Sequence, residues 1–333
     1  MDSLFNRMSD ESYKDYFVRL FENKSEYGLT CSDIAVLLNS ENNNNFGEST
    51  YRKYFAAFQD GRMYERMRLT ADTGVATRIL ALSDFHFPFN LPLSTFDDYV
   101  GTADVLVLNG DLLDQQSISR FPKNYRIPPM EEMIGCRQYL IDLIEMLHPK
   151  KVIINKGNHE ERFGAYLAKH LDSDMLGLMP DTALDLVVDD GFFYYDKKSR
   201  SKNWYDPLVK VFADSGIEIV YTGEWYCKVG KTIFAHPLTY STGMLKTTEK
   251  AVDHFLRKDR DFDALVLGHT HKLGSYIQGD IAMYEQGCCC RTEELRYADG
   301  QLTLPQQAGF LIAAQDRNGN LLRDYTKLIS LND

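Results

Sequence analysis

Apolar residues recur along this chain at two different periods, and the change of texture comes near residue 70. In "ESYKDYFVRLFENKSEYG" (11–28), Tyr13, Phe17 and Phe21 fall at i, i+4 and i+8, one stripe along a helix. "LTCSDIAVLLN" (29–39) offers Thr30 as N-cap and Ile34, Leu37 and Leu38 as a core face. The polar run "SENNNNFGE" (40–48) reads as a loop. It leads into "STYRKYFAAFQDGRMYERMR" (49–68), a third helix with Ser49 or Thr50 as cap and Tyr54, Phe55 and Phe58 along it. Residues 1–70 are therefore predicted to form a small all-α module.

From Thr77 onward the pattern is short apolar runs between helical stretches. "RILALSD" (78–84), "DVLVLNGD" (104–111) and "KVIINKGN" (151–158) read as buried strands, each ending at a polar residue or glycine. Between the second and third, "MEEMIGCRQYLIDLIEMLH" (130–148) has helical periodicity in Met133, Cys136, Leu140, Leu143, Ile144 and Leu147. Later strand candidates are 217–220, 225–229, 231–235, 263–267, 273–278, 281–286, 308–314 and 319–325. Strands and helices alternate early and strands dominate late. This predicts an α/β domain over 71–333 with a mixed sheet or two packed sheets.

Composition narrows the class. The 333 residues are 44% hydrophobic and 26% charged, ordinary for a soluble globular protein. A formal net charge of −11 argues against indiscriminate, charge-driven binding to nucleic acid. The six cysteines include the run Cys288-Cys289-Cys290 and no CxxC pair, so neither a disulfide framework nor a structural zinc motif is expected. No signal peptide or membrane span is legible, and a reducing cytoplasm is the expected location.

The chemistry lies where the apolar runs stop. The first run ends Asp84-Phe85-His86, the second Gly110-Asp111-Leu112-Leu113-Asp114, the third Gly157-Asn158-His159-Glu160. Later "KTIFAHP" delivers His236, and "LVLGHTH" delivers His269 and His271. Alternation of an extended backbone would aim the last two imidazoles at one point. Taken singly, each piece is explained by a turn, a cap or a satisfied histidine. Together they gather carboxylate and imidazole at strand ends, which is what a divalent metal cluster requires.

The order DxH, GDxxD, GNH[DE], H, GHxH, spelled here DFH, GDLLD, GNHE, H and GHTH, resembles the calcineurin-like metallophosphoesterase family over about residues 77–290. The resemblance implies a four-layer sandwich of two packed mixed β-sheets flanked by helices, here with a small N-terminal all-α module added. It implies one metal at Asp84, His86, Asp111 and His271, and a second at Asp111, Asn158, His236 and His269. His159 would contact the phosphoryl group and the leaving oxygen, and Asp114 would orient a histidine. A hydroxide generated between two ions about 3.5–4 Å apart would attack phosphorus. The mixed nitrogen and oxygen donors suit Mn²⁺ first, then Fe or Zn²⁺. Pro237 departs from the pattern, since relatives often carry glycine after the lone histidine; it biases His236 toward extended backbone.

The three N-terminal helices resemble a helix-turn-helix, with residues 49–58 in the recognition position and Arg52 and Lys53 near its start. A plain helical docking module is the other reading. The insert 172–207, which contains "GFFYYDKKSRSKNWYDP", adds aromatics with Lys197, Lys198, Arg200 and Lys202. They read either as a nucleic-acid platform or as a hairpin with a solvated loop. The expected activity is phosphodiester hydrolysis on nucleic acid or nucleotide. The alternatives are a protein or small-molecule phosphomonoesterase, and a DNA-binding adaptor with an inactive esterase scaffold. Cys288–Cys290 read as small core residues, with a reactive role as the alternative. Oligomeric state is not legible.

Overall fold

The computed structural model describes residues 5–8, 11–119, 127–196, 200–241, 243, 245–294 and 306–331. The chain divides into two compact units, Met1–Thr73 and Gly74–Asp333. No helix among the described residues is long and apolar enough to cross a membrane.

The first unit is three helices: α1 (Tyr13–Glu22), α2 (Cys31–Asn42) and α3 (Glu48–Thr73). Ser12 caps α1, and Thr30 with Asp33 makes a reciprocal capping box on α2, satisfying amides that a helix start leaves without partners. Tyr16, Leu20, Phe21, Ile34, Ala35, Leu38 and Tyr51 form its core. Two expectations change here. Asn43, left-handed at φ 53°, ends α2 later than expected and shortens the loop to 43–47. The third helix starts at Glu48, ahead of both expected caps, and Tyr51 with partly buried Phe55 forms its inner face. Tyr54 and Phe58 stay outside, 54% and 37% exposed.

The second unit opens with β1 (Thr77–Leu82), β2 (Val105–Asn109), α4 (Pro129–Leu147), β3 (Lys151–Asn155) and α5 (Glu161–His170). A hairpin, β4 (Phe192–Asp196) and β5 (Ser201–Tyr205), precedes β6 (Glu218–Tyr221), β7 (Tyr226–Val229) and β8 (Thr232–Ala235). Then come α6 (Lys246–Lys258), β9 (Ala264–Leu267), β10 (Leu273–Gln278), β11 (Ile281–Gln286), β12 (Gly309–Gln315) and β13 (Lys327–Ser330). One sheet has the order β13-β12-β1-β2-β3-β6 and the other β10-β11-β9-β8-β7. The first is parallel from β1 through β6 and antiparallel on its β12–β13 side; the second has a parallel centre and two antiparallel edges.

Alternation decides the layers. Ile79, Ala81, Val107 and Ile153 turn toward Phe234, Val266 and Ala282 of the facing sheet. Leu80, Leu82, Leu106, Leu108, Val152 and Ile154 turn the other way onto Met133, Cys136, Leu140 and Ile144 of α4. In the second sheet Ile233, Ala235, Leu265 and Leu267 pack on Val252 and Phe255 of α6. The result is helix, sheet, sheet, helix, with strands buried on both faces and so spelled as continuous apolar runs.

Residues 319–325, expected as a strand, form instead a bridge at Leu321 and a 3₁₀ turn, Arg323–Tyr325. The last strand is β13, which lies beyond the predicted span. Asp316 accepts from the amides of Asn318 and Asn320, and Gly319 sits at φ 77°, so a turn interrupts the apolar pattern there.

Candidate metal centre

The carboxyl ends of β1, β2, β3, β8 and β9 all open onto one place, where the topology brings the polar run-ends together. Asp84, His86, Asp111 and His236 are at most 1% exposed, and His159 and His271 6%. Such burial of charge is tolerable only with partners. Donor atoms of Asp84, His86 and His271 lie within 4.8 Å of one another, as do those of Asp111, His236 and His269, and those of His86, Asp114 and His159.

Asp111 sits among these groups. Its Oδ2 is 3.2 Å from His236 Nε2 and 3.8 Å from both His86 Nε2 and His159 Nε2. Asp84 Oδ1 lies 3.0 Å from His271 Nε2 and 3.9 Å from His236 Nε2. Asn158 Oδ1 is 3.3 Å from His236 Nε2. Every residue expected at the metals is therefore in one cluster. The GHTH pair reaches it differently from expectation. His269 and His271 both have positive φ, 74° and 53°, so the backbone there is not extended. They serve two neighbouring groups, His269 the Asp111 side and His271 the Asp84 side.

Asp84, His86 and Asp111 share that left-handed backbone, at φ 56°, 46° and 53°. Half of the ten positive-φ non-glycine residues among those described thus belong to this cluster, a conformation that surrounding structure must hold in place. The holding groups are visible. Glu160, fully buried, accepts from the amides of Asp111 (3.0 Å), Leu112 (2.9 Å), Leu113 (3.1 Å) and Gly157 (2.7 Å). Burial and the Asp111 charge push the Glu160 pKa up, against the Leu113 and Gly157 amides, which favour the ionised carboxylate. Gly157 must be glycine: a Cβ there would meet the Asp111 carboxylate and, at 2.5 Å, its amide nitrogen. Glu160 stands inside the GNHE motif, yet motif reading gives it no role; a buried acid after a strand end was its one signal.

The electrostatics fit cations. Burial opposes charge on Asp84, but His236 and His271 hold its carboxyl well below the usual range. Asp111 is likewise held low against burial by His159 and His236. Burial lowers His86 to about 4 and His269 to about 3. For His236 burial is outweighed by Asp111 and Asp84, which push it up to about 10. The donor set itself asks for a metal. His236 Nδ1 lies 2.7 Å from Asn109 O and donates to it, so Nε2 is the nitrogen that faces Asp111 and Asn158, where a cation would take the place of its proton. His269 Nε2 is buried with no partner among the described residues.

His159 and Asp114 form the flank. Nδ1 of His159 is 2.9 Å from Asp114 O and 3.2 Å from Asp114 Oδ1. Nε2 faces Arg162 Nη2 at 2.8 Å, and a guanidinium only donates, so Nε2 accepts and the proton sits on Nδ1. Arg162 also donates to Asp114 O at 2.6 Å. Sequence reasoning missed Arg162, one helical turn beyond His159.

Residues 77–273 match the family model described as calcineurin-like phosphoesterase, and residues 1–70 match that of the YonJ N-terminal domain. The SPbeta prophage-derived uncharacterized protein YonJ of Bacillus subtilis (strain 168) is 42% identical over 62 residues, 19% of this chain and 15% of that protein. The match thus spans about one seventh of the curated relative's length. Among solved structures, a metallophosphoesterase from Sphaerobacter thermophilus is 13% identical at TM-score 0.34, covering 77% of this chain and 88% of its own. A structure described as a novel archaeal phosphodiesterase is 15% identical at TM-score 0.35, covering 76% and 99%. Vacuolar protein sorting 29 from Cryptosporidium parvum is 15% identical at TM-score 0.35, covering 78% and 100%.

Proposed function

The chain belongs to the calcineurin-like phosphoesterase family; from that premise we propose that it is a metal-dependent phosphoesterase that hydrolyses phosphodiesters of nucleic acid or nucleotides with two divalent cations. The observation that carries the two-metal reading is Asp111, whose carboxylate lies between the Asp84–His86–His271 group and the His236–His269 group. One ion would be held by Asp84, His86, Asp111 and His271, the other by Asp111, Asn158, His236 and His269. Such a pair supplies positive charge that acidifies water and neutralises phosphoryl oxygens. Mn²⁺ suits the mixed donors, with Fe and Zn²⁺ next.

The chain's own residues do the rest. Asp114 fixes the His159 ring through Nδ1. Proton donation from Nε2 to a leaving oxygen requires His159 as imidazolium with Arg162 turned aside, and Arg162 then faces the phosphoryl group.

The preference for nucleic acid rests on the β4–β5 hairpin. Phe193 opposes Trp204 and Tyr195 opposes Lys202, so all four side chains share one face, with the three aromatics about half exposed. Lys202 Nζ stands 4.0 Å from the Phe193 ring centroid. Exposed rings with an adjacent ammonium are what stacked bases and their phosphates use. Lys197 and Lys198 lie outside the described residues. Residues 49–58 of α3 are proposed to contact DNA through Arg52 and Lys53, although Arg52 also pairs with Glu48 at 3.6 Å. Six free thiols suit a reducing, cytoplasmic setting.

The test is a panel of diester, monoester, DNA and phosphopeptide substrates, run on metal-stripped protein with Mn²⁺ added back. Diester or DNA turnover that leads the panel and falls with metal stoichiometry in Asp111→Asn is expected. Full activity in Asp111→Asn or in stripped protein refutes the two-metal reading, and a phosphopeptide preference refutes the substrate.

A further inference from the structure

The run Cys288-Cys289-Cys290 follows β11 and splits by alternation. Cys289 enters the large core against α4, whereas Cys288 and Cys290 turn to the other side and pack with Phe89. All three are fully buried and none is in a disulfide. The backbone pins them beside the metal cluster. Cys289 N donates to Ser83 O at 2.9 Å, next to Asp84. Gln307 N donates to His271 O at 2.8 Å and its carbonyl accepts from Cys288 N at 3.1 Å, so one residue ties Cys288 to His271. Donor atoms of His271, Cys288 and Cys290 consequently lie within 4.8 Å of one another.

His271 is asymmetric. Its Nε2 is engaged, 3.0 Å from Asp84 Oδ1 and 3.0 Å from His86 Nε2. Its Nδ1 is buried with no partner among the described residues, which a purely structural histidine would not tolerate without cost. Two thiols and this side of the molecule have no part in the chemistry proposed above.

We propose that His271, Cys288 and Cys290 form an additional metal site for a thiophilic cation, Zn²⁺ in the first instance, which shares His271 with the Asp84 and His86 group. Two thiolates and one imidazole are a soft donor set of the kind that selects zinc over manganese or magnesium. Binding releases two thiol protons to solvent, and with the His271 proton kept on Nε2 toward Asp84 the Zn²⁺ with two thiolates and a neutral imidazole carries no net charge. An ion that also takes Nε2 would displace that third proton and leave His271 as an imidazolate bridge between two cations. A neutral centre is the one kind of ion site that a pocket walled by Phe89 accepts without a large desolvation penalty. The inference goes beyond the substrate and metal count given above and needs only the position of His271.

The experiment uses the full metal-stripped chain, titrated with Co²⁺ or Cd²⁺ and followed by thiolate-to-metal charge-transfer absorption. One equivalent is expected to saturate that band in the wild type. Cys288→Ser and Cys290→Ser should each weaken binding by more than the roughly 10–100-fold that loss of an outer partner costs. The double variant should lose the band, while Cys136→Ser and Cys227→Ser keep it. A wild type without the band, or a double variant that retains it, overturns the proposal. Should the cysteine variants unfold, as circular dichroism would report, X-ray absorption of the zinc-loaded wild type decides. A sulfur shell at about 2.3 Å supports the site, and nitrogen or oxygen neighbours alone at about 2.0–2.1 Å refute it. Mn²⁺-supported hydrolysis is measured separately, so loss of the sulfur signal leaves the phosphoesterase reading standing, and the converse holds.

Discussion

Replacing Glu160 by glutamine tests whether the cluster is held from behind by one carboxylate. Oε2 accepts from Asp111 N and Gly157 N, and Oε1 from Leu112 N and Leu113 N. A carboxamide has one acceptor oxygen, so at least two of the four amides would face an NH₂ group and lose their bonds. Hydrogen bonds to a charged group contribute about 1.5–3 kcal/mol each, which puts the loss at roughly 3–6 kcal/mol. For a unit of this size each kcal/mol moves Tm by about 2–4 °C, so a fall of roughly 6–24 °C is expected. Activity should fall further than stability explains. The freed amides lie in the turn that carries Asp111 at φ 53°, and a displacement of about 1 Å at a reacting centre costs about 100-fold. Near-ultraviolet circular dichroism gives Tm, and calorimetric metal titration below the transition gives affinity and stoichiometry. A variant that melts within about 2 °C of the wild type and binds metal unchanged would refute the reasoning, because it would show those amides satisfied without the charge.

Three further outcomes follow from other parts of the molecule. Glu132 on α4 accepts from Gln115 N at 2.6 Å, and burial, with Asp114 adding to it, pushes its carboxyl up from 4.5 to about 8. The folded state therefore holds a proton that the unfolded chain releases, and this stabilisation is full below pH 4.5 and lost as pH rises through about 8. Urea unfolding of wild type and Glu132→Gln should diverge across that window, the wild type losing ground by a few kcal/mol; parallel curves would contradict it. His159→Gln should keep its metals and lose roughly 10²–10⁴-fold in kcat/KM on an alkyl or nucleotide ester, and less on a nitrophenyl ester that leaves without a proton. Equal losses on both would assign His159 to charge stabilisation, and loss of metal would make it a ligand. In the first unit, Arg52→Ala with Lys53→Ala should flatten the salt dependence of DNA binding, and a chain beginning at Gly74 should keep diester hydrolysis while losing DNA affinity; a full chain that binds no DNA at low salt rejects that role.

What the sequence makes legible here is set by how local the governing physics is. Strand positions and layers follow from alternation alone, because Leu80 and Leu82 must face α4 if Ile79 and Ala81 face the other sheet. The clustering of the candidate ligands was legible because they stand at run-ends, and an α/β sheet delivers its run-ends to one edge. The backbone at those ends was not. Alternation suggested that His269 and His271 share one target, but both adopt left-handed φ and part toward different groups. Nothing in "GHTH" encodes that, since the conformation is imposed from outside: Asp84 accepts from His269 N at 3.2 and 3.0 Å, and Gln307 N reaches His271 O from 36 positions along the chain. The same reason hides Glu160. Its four donors come from segments 47 to 49 positions upstream and from Gly157, so its role exists only once β2 and β3 are paired. It also hides the division of the cysteine run, where a string of three identical residues acquires two environments from the strand end beside it. A local pattern thus picks out the residues proposed to meet a substrate or an ion. The residues that hold those groups in strained backbone are found only through contacts distant in sequence, and they are where substitution should separate metal affinity from simple loss of fold.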